Sequence, residues 1–192
     1  MVLFSFKSIG RPVAFVNGVK RHFMSALVLT FCMSPLQGAT LGRLSLSDMI
    51  GKSTSIERAK ITSSYAAADG PVIYTHYKLQ ISEQLKGFVV SEIVVPGGTA
   101  SGIRQFFAGA PQFQSGDEFV FFLWTSREGL TQVMGLTQGL FAVGSGGGAD
   151  PTVTRPASQE LMLDTSTGHP VKDETLVMKL SALRSQIKGV SQ

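Results

Sequence analysis

The run Phe119-Val120-Phe121-Phe122-Leu123-Trp124 is the strongest constraint on what this chain can become. Six consecutive apolar residues make a strand's length, too short for a free-standing helix, and aromatic and β-branched types favour an extended backbone. A run with no polar face must be covered on both sides, which places it at the centre of a sheet or barrel. The loop Gly109-Ala110-Pro111-Gln112-Phe113-Gln114-Ser115-Gly116-Asp117-Glu118 feeds it, and the rest of the chain is read as its cover.

That cover is strand-rich. Ser45 to Gly51 offers a serine cap, apolar spacing and a glycine stop, which predicts one or two helical turns. Ser55 to Tyr65 alternates, with Ala59, Ile61 and Ser63 on one face and Arg58, Lys60 and Thr62 on the other. After the turn Asp69-Gly70-Pro71, Val72 to Glu83 alternates again, with Ile73, Thr75, Tyr77, Leu79 and Ile81 opposite His76, Lys78 and Gln80, so the two form a long hairpin. Lys86-Gly87 is the next predicted turn, and Val89 to Val95 the third strand, stopped by Pro96-Gly97-Gly98. Thr99 to Phe113 is a long excursion, and loops of such length in a compact domain serve as binding or covering segments. Leu130 to Leu136, Leu140 to Val143 and Leu161 to Asp164 read as short strands. From Asp173, the stripe Leu176, Val177, Leu180, Leu183 and Ile187 with a stop at Gly189 predicts an amphipathic helix over 173–188.

The first 39 residues are different in kind. A basic region ending Lys20-Arg21-His22, an apolar core from Phe23 to Met33, and small residues at Gly38-Ala39 have the layout of a secretory signal. The apolar core is about half of the ~20 residues that a bilayer crossing needs, and Pro35 closes it. Cleavage there leaves a single β-rich domain over 40–192, secreted or periplasmic, with no stable membrane span. It also removes Lys7, Arg11, Lys20 and Arg21, four of the 17 basic residues, and leaves 13 against 13 acids. A neutral domain has no electrostatic footprint for a nucleic acid. Cys32 is the only cysteine and leaves with the signal, so no disulfide or thiol chemistry is expected.

Signatures of chemistry are few. Neither His76, on a polar strand face, nor His169, in Gly168-His169-Pro170, has the company in sequence that a metal site requires, so no metal or cofactor is expected. Gly51-Lys52-Ser53 lacks the earlier glycine of a phosphate loop, and Gly144-Ser145-Gly146-Gly147-Gly148-Ala149 is followed by Asp150-Pro151, where a dinucleotide-binding helix cannot open. Asp117-Glu118 and Asp173-Glu174 are adjacent pairs at a turn and at a helix start, where acids have structural uses. The expectation is a non-catalytic binding domain with an unknown protein partner in the envelope or extracellular space. The alternative is a hydrolase that assembles scattered serines around one of the two histidines. The candidate contact residues are Arg104, Phe106, Phe107 and Phe113, in an excursion where a guanidinium lies beside aromatics. The competing reading of those phenylalanines is a plug over the end of the core.

The order of Asp69-Gly70-Pro71, Leu85-Lys86-Gly87, Val95-Pro96-Gly97-Gly98, Gly109-Ala110-Pro111-Gln112-Phe113 and Gly116-Asp117-Glu118 before a Phe-Leu strand resembles a group of uncharacterised exported bacterial proteins. Leu85-Lys86-Gly87 after a long alternating hairpin is also similar to the OB-like barrel of netrin and tissue metalloproteinase-inhibitor domains. The inhibitor family begins its mature chain with a metal-chelating cysteine and is rich in disulfides, and this chain has neither. What the second resemblance implies is a barrel and, as a second alternative function, an inhibitor or accessory protein of an exported protease. The expected fold is all-β: a partly open, five- or six-stranded OB-like barrel with a short N-terminal helix and a C-terminal amphipathic helix, with a β-sandwich as the alternative.

Overall fold

A computed structural model describes residues 38–190, Gly147 excepted. All but the last two residues of the segment 1–39 read as a signal lie outside the described residues. Strand β1 (Thr40–Gly42) leads into helix α1 (Leu46–Lys52), which starts where the sequence specifies. The Asp48 amide donates to Ser45 Oγ at 3.0 Å, and the Ser45 amide donates back to Asp48 Oδ2 at 3.2 Å, a reciprocal box that satisfies two otherwise orphaned helix donors. The Ser45 hydroxyl, which donates to Asp48 Oδ2 at 2.6 Å, and then the Ser45 amide hold the Asp48 carboxyl below the usual carboxylate range.

Strands β2 (Ser55–Asp69) and β3 (Val72–Gly87) form the long hairpin, paired from Asp69↔Val72 back to Ser55↔Gly87. The pairing slips at Ile56/Glu57, Arg58/Ala59 and Ile61/Ser63. Such bulges sharpen the twist of a sheet and change which face a side chain meets. Next come β4 (Glu92–Pro96), the small strands β5 (Gly98–Ala100) and β6 (Ile103–Gln105), and β7 (Glu118–Thr125), the strand that contains the apolar run. Beyond it lie β8 (Thr131–Val133), β9 (Leu140–Val143), β10 (Thr152–Arg155), β11 (Leu161–Leu163), β12 (Pro170–Val171), β13 (Leu176–Lys179) and helix α2 (Leu180–Val190).

The fold is all-β. The main sheet runs β13-β10-β9-β7-β2-β3-β4, with β8 added on β7. Strand β7 sits between β2 and β9, and Val120 to Leu123 are wholly buried. On one face, Phe121 and Leu123 join Ala59, Ile61, Tyr77, Leu79, Ile93, Val95 and Phe113. On the other, Val120 and Phe122 join Met49, Ile50, Ile56, Phe141, Val153, Leu180, Leu183 and Ile187, so both helices cover that side. Val120 to Leu123 thus have the two covered faces their composition demands, whereas Trp124 at the end of the run is 47% exposed. Strand β4 packs against β8, but no pairing links them, so among the described residues the sheet closes into no barrel.

The structure corrects three details of the sequence reading. The main sheet has eight strands instead of five or six. The hairpin continues to Gly87, and the chain turns at 88–91, after which Ile93, Val94 and Val95 are all buried, so alternation is lost there. The helix predicted over 173–188 begins only at Leu180, because Leu176–Lys179 pairs with Thr152–Arg155 as an edge strand and Asp173 is drawn away to the buried Arg155. Gly189 lies inside α2 and does not stop it.

Candidate functional site

The Thr99–Phe113 excursion is no plain loop. Ser101 and Gly102 take φ of 51° and 76°, the left-handed pair that a tight two-residue turn requires, and they join β5 to β6 as a small hairpin. Gly98, at φ 134°, lets this hairpin lie against the long one: a Cβ there would stand 2.6 Å from Thr75 Oγ1 and 3.2 Å from the Ala66 methyl. Gln105 fastens it to the hairpin tip, with Oε1 accepting from the Ile73 amide at 2.7 Å and Nε2 donating to the Pro71 carbonyl at 2.8 Å. Thr75 Oγ1 donates to the Gly97 carbonyl at 2.7 Å, and the Gly97 amide donates to Ile73 O at 2.7 Å.

Between this hairpin and the Ala110–Phe113 segment runs a groove of about 300 Å³. Thr75, Tyr77, Val95 and Phe113 line its depth, and Arg104, Phe106 and Phe107 its mouth. The four candidate residues are therefore brought to one place, but in different roles. Phe106 is 77% exposed and Phe107 39% exposed. The Phe107 ring would lie 3.6 Å from a Cβ on Gly97, so it leans on the groove wall. Arg104 is exposed and has no carboxylate partner among the described residues. Phe113 is corrected from contact residue to core: it is 9% exposed, with its ring edge-on to Tyr77, Phe119 and Phe121 at centroid distances of 4.9, 5.5 and 5.8 Å. Of the two readings of the excursion, Phe113 fits the plug and Phe106 fits the open surface.

A second concavity, of about 560 Å³, is lined by Arg58, Lys60, Glu118, Gly144 and Ser145. Its cations are already engaged, since Arg58 Nε lies 2.6 Å and Lys60 Nζ 3.6 Å from the Glu118 carboxylate. The glycine-rich stretch beside it leads into β10 and not into a helix.

His76 is a further correction. Sequence spacing leaves it without a carboxylate, whereas the pairing of β3 with β4 sets Glu92 Oε1 2.9 Å from its Nδ1. Lys78 Nζ lies 2.7 Å from Glu92 Oε2, Tyr65 Oη donates to Oε1 at 3.2 Å, and the Tyr65 ring stacks on the imidazole at 4.6 Å. Burial alone would raise the Glu92 carboxyl, but Lys78, His76 and Tyr65 together hold it below its usual range. The same carboxylate raises the Lys78 ammonium. This acid–imidazole pair is the one feature that could serve the hydrolase alternative, yet none of the hydrogen bonds described for the imidazole is to a hydroxyl nucleophile. His169 is exposed in its turn. No group of three or more His, Cys, Asp or Glu side chains with metal-binding geometry occurs among the described residues.

Alternation along β2 puts Glu57 on the same side as Ala59 and Ile61, an acid at an inward position; that signal was available in the sequence and was missed. Among the described residues no helix is long and apolar enough to cross a membrane. Comparison of the chain with protein-family models, with curated proteins and with solved structures finds no match in any of the three.

Proposed function

We propose that this is an exported, non-catalytic binding domain that meets a protein partner through the mouth of the groove beside the Gly98–Gln105 hairpin. The observation that carries this reading is Phe106, a large apolar ring held out in water on a hairpin that Gln105 fixes in place, next to the Arg104 guanidinium, which has no carboxylate partner among the described residues. Aromatic and arginine side chains presented by a rigid element are the residue types that dominate binding energy at interfaces. Phe106→Ala is expected to leave stability within about 0.5 kcal/mol of wild type, as surface substitutions do, while a partner retained from envelope or culture extract by the wild-type domain is lost. Loss of several kcal/mol by urea unfolding, or unchanged retention by a stable variant, counts against this site.

Export is supported by the layout of the first 39 residues and by the first strand beginning at Thr40, where the mature chain is expected to start. The intact mass of protein recovered from the envelope or medium is expected to match a chain starting close to Thr40. A full-length chain held in the cytoplasm contradicts it.

A further inference from the structure

Glu57 is 0% exposed at the bulged start of β2, in register with Gln84 of β3 on one side and Phe121 of β7 on the other. Its Oε2 accepts from the Val90 amide at 3.1 Å, and its Oε1 is buried with no hydrogen-bond partner among the described residues. The orientation of the Gln84 amide is fixed, because its Nε2, with two hydrogens to donate, lies among three acceptors: Lys86 O at 2.6 Å, Phe88 O at 3.0 Å and Ser55 Oγ at 3.1 Å. Its Oε1 is therefore also left buried without a donor. Directly paired residues of an antiparallel ladder carry neighbouring side chains on one face. Glu57 and Gln84 thus each bring a buried acceptor without a donor among the described residues, and one proton placed between the two oxygens would satisfy both.

Among the described residues, the charged groups on the neighbouring strands are engaged elsewhere. Arg58 is engaged by Glu118, and on β3 the Glu83 carboxylate is held by Arg184 at 2.7 Å. Lys86 Nζ is turned to the carbonyls of Ile50 and Gly51 at the end of α1. Glu92 of β4 is held by His76 and Lys78, and β7 presents Phe121.

We propose that Glu57 is carried in the folded protein as a neutral carboxylic acid whose O–H is donated to Gln84 Oε1, and that this proton latches the Phe88–Ser91 corner onto the sheet. Burial pushes the Glu57 carboxyl up to about 7, against the opposing pull of the Val90 amide, so the latch titrates near neutrality. When the proton leaves for solvent, the carboxylate has one hydrogen bond and no counter-charge in an apolar setting. Water must then reach Oε1. The cover that can yield is the 88–91 corner, where Phe88 and Val89 are exposed and Val90 alone is buried. The sign follows from linkage: the folded state holds a proton that the unfolded chain has released, so stability falls as pH rises from about 4.5 to about 7, then levels off.

The test follows the Glu57 carboxyl carbon by NMR from pH 4 to 9 in the wild-type protein and compares urea midpoints with Glu57→Gln over the same range. Glutamine has the shape of the neutral acid and brings an N–H donor to Gln84. The expected results are a carboxyl midpoint near 7, a wild-type urea midpoint that falls relative to the variant's between pH 4.5 and 7, and accelerated exchange of the Val90 amide, beyond its intrinsic pH dependence, above pH 7. A carboxyl midpoint near 4.5, or wild-type and variant profiles that run parallel, overturns the proposal. The wild-type titration decides alone if the variant does not fold.

Discussion

Asp173→Ala is expected to lower stability by about 3–5 kcal/mol, the range for removing one partner of a buried ion pair. Arg155 Nη2 donates to Asp173 Oδ1 at 2.9 Å and to the Glu174 carbonyl at 2.8 Å, and both side chains are almost wholly enclosed. Arg155 Nε and Nη1 already have no partner among the described residues. A guanidinium cannot shed its proton to escape burial, so alanine leaves a charge in the interior with one carbonyl to answer it. The Ser158 amide, which donates to Asp173 Oδ2 at 2.8 Å, loses its acceptor as well. Urea unfolding at neutral pH measures the loss. The double replacement Arg155→Met with Asp173→Leu is expected to recover most of it, because the pair's own net contribution is small. Burial by itself pushes the Asp173 carboxyl up, and the Ser158 amide and the Arg155 guanidinium more than offset this, leaving it below the usual range. The contribution of this group to stability is therefore present above the unfolded-state value and lost as acid protonates it. A loss under 1 kcal/mol in Asp173→Ala would mean that the C-terminal edge strand does not depend on this pair.

Phe121→Ala is expected to cost about 3–5 kcal/mol, because the side chain is wholly buried and a cavity remains when the ring is removed. Its ring lies 5.8 Å from Phe113 and 5.6 Å from Phe119, edge to face, so the deletion also breaks an aromatic cluster. The comparison with Phe106→Ala is informative because the chemical change is identical and only the surroundings differ. If the two variants unfold at similar urea concentrations, the distinction between core run and open rim fails.

The central strand was legible because it needed only its own composition: nothing but two covered faces accommodates Val120 to Leu123, the buried part of the run. The long hairpin was legible from the alternation of Ile73, Tyr77 and Leu79 against Lys78 and Gln80. Strand β10 was not, since Val153 between two threonines offers one apolar residue and the buried neighbour is Arg155, a residue type that reads as surface. Strand β13 was misread for a different reason. Leu176, Leu180, Leu183 and Ile187 are spaced as a helical stripe, and a four-residue strand is too short to display its own period. At the site, the composition of Arg104-Gln105-Phe106-Phe107 suggested a contact surface, but not which ring points outward. That depends on Gln105 reaching the tip of a hairpin some 32 residues earlier. The His76–Glu92 pair depends likewise on strand register, which sequence spacing does not disclose.

Strand β1 pairs in parallel with β11, Thr40 with Leu161 and Gly42 with Leu163. The earliest part of the described chain is thus held by residues made roughly 120 positions later, and the partners that flank β7 are split the same way, with β2 before it and β9 after. Such pairings cannot form until both segments are available, and long-range closure is the slow part of folding a sheet. A ribosome that has released only the first hundred residues therefore presents a hairpin with no central strand to cover it. Native assembly of this sheet has to wait until β9 and β11 have been made, so the long hairpin stands with its apolar face uncovered until then.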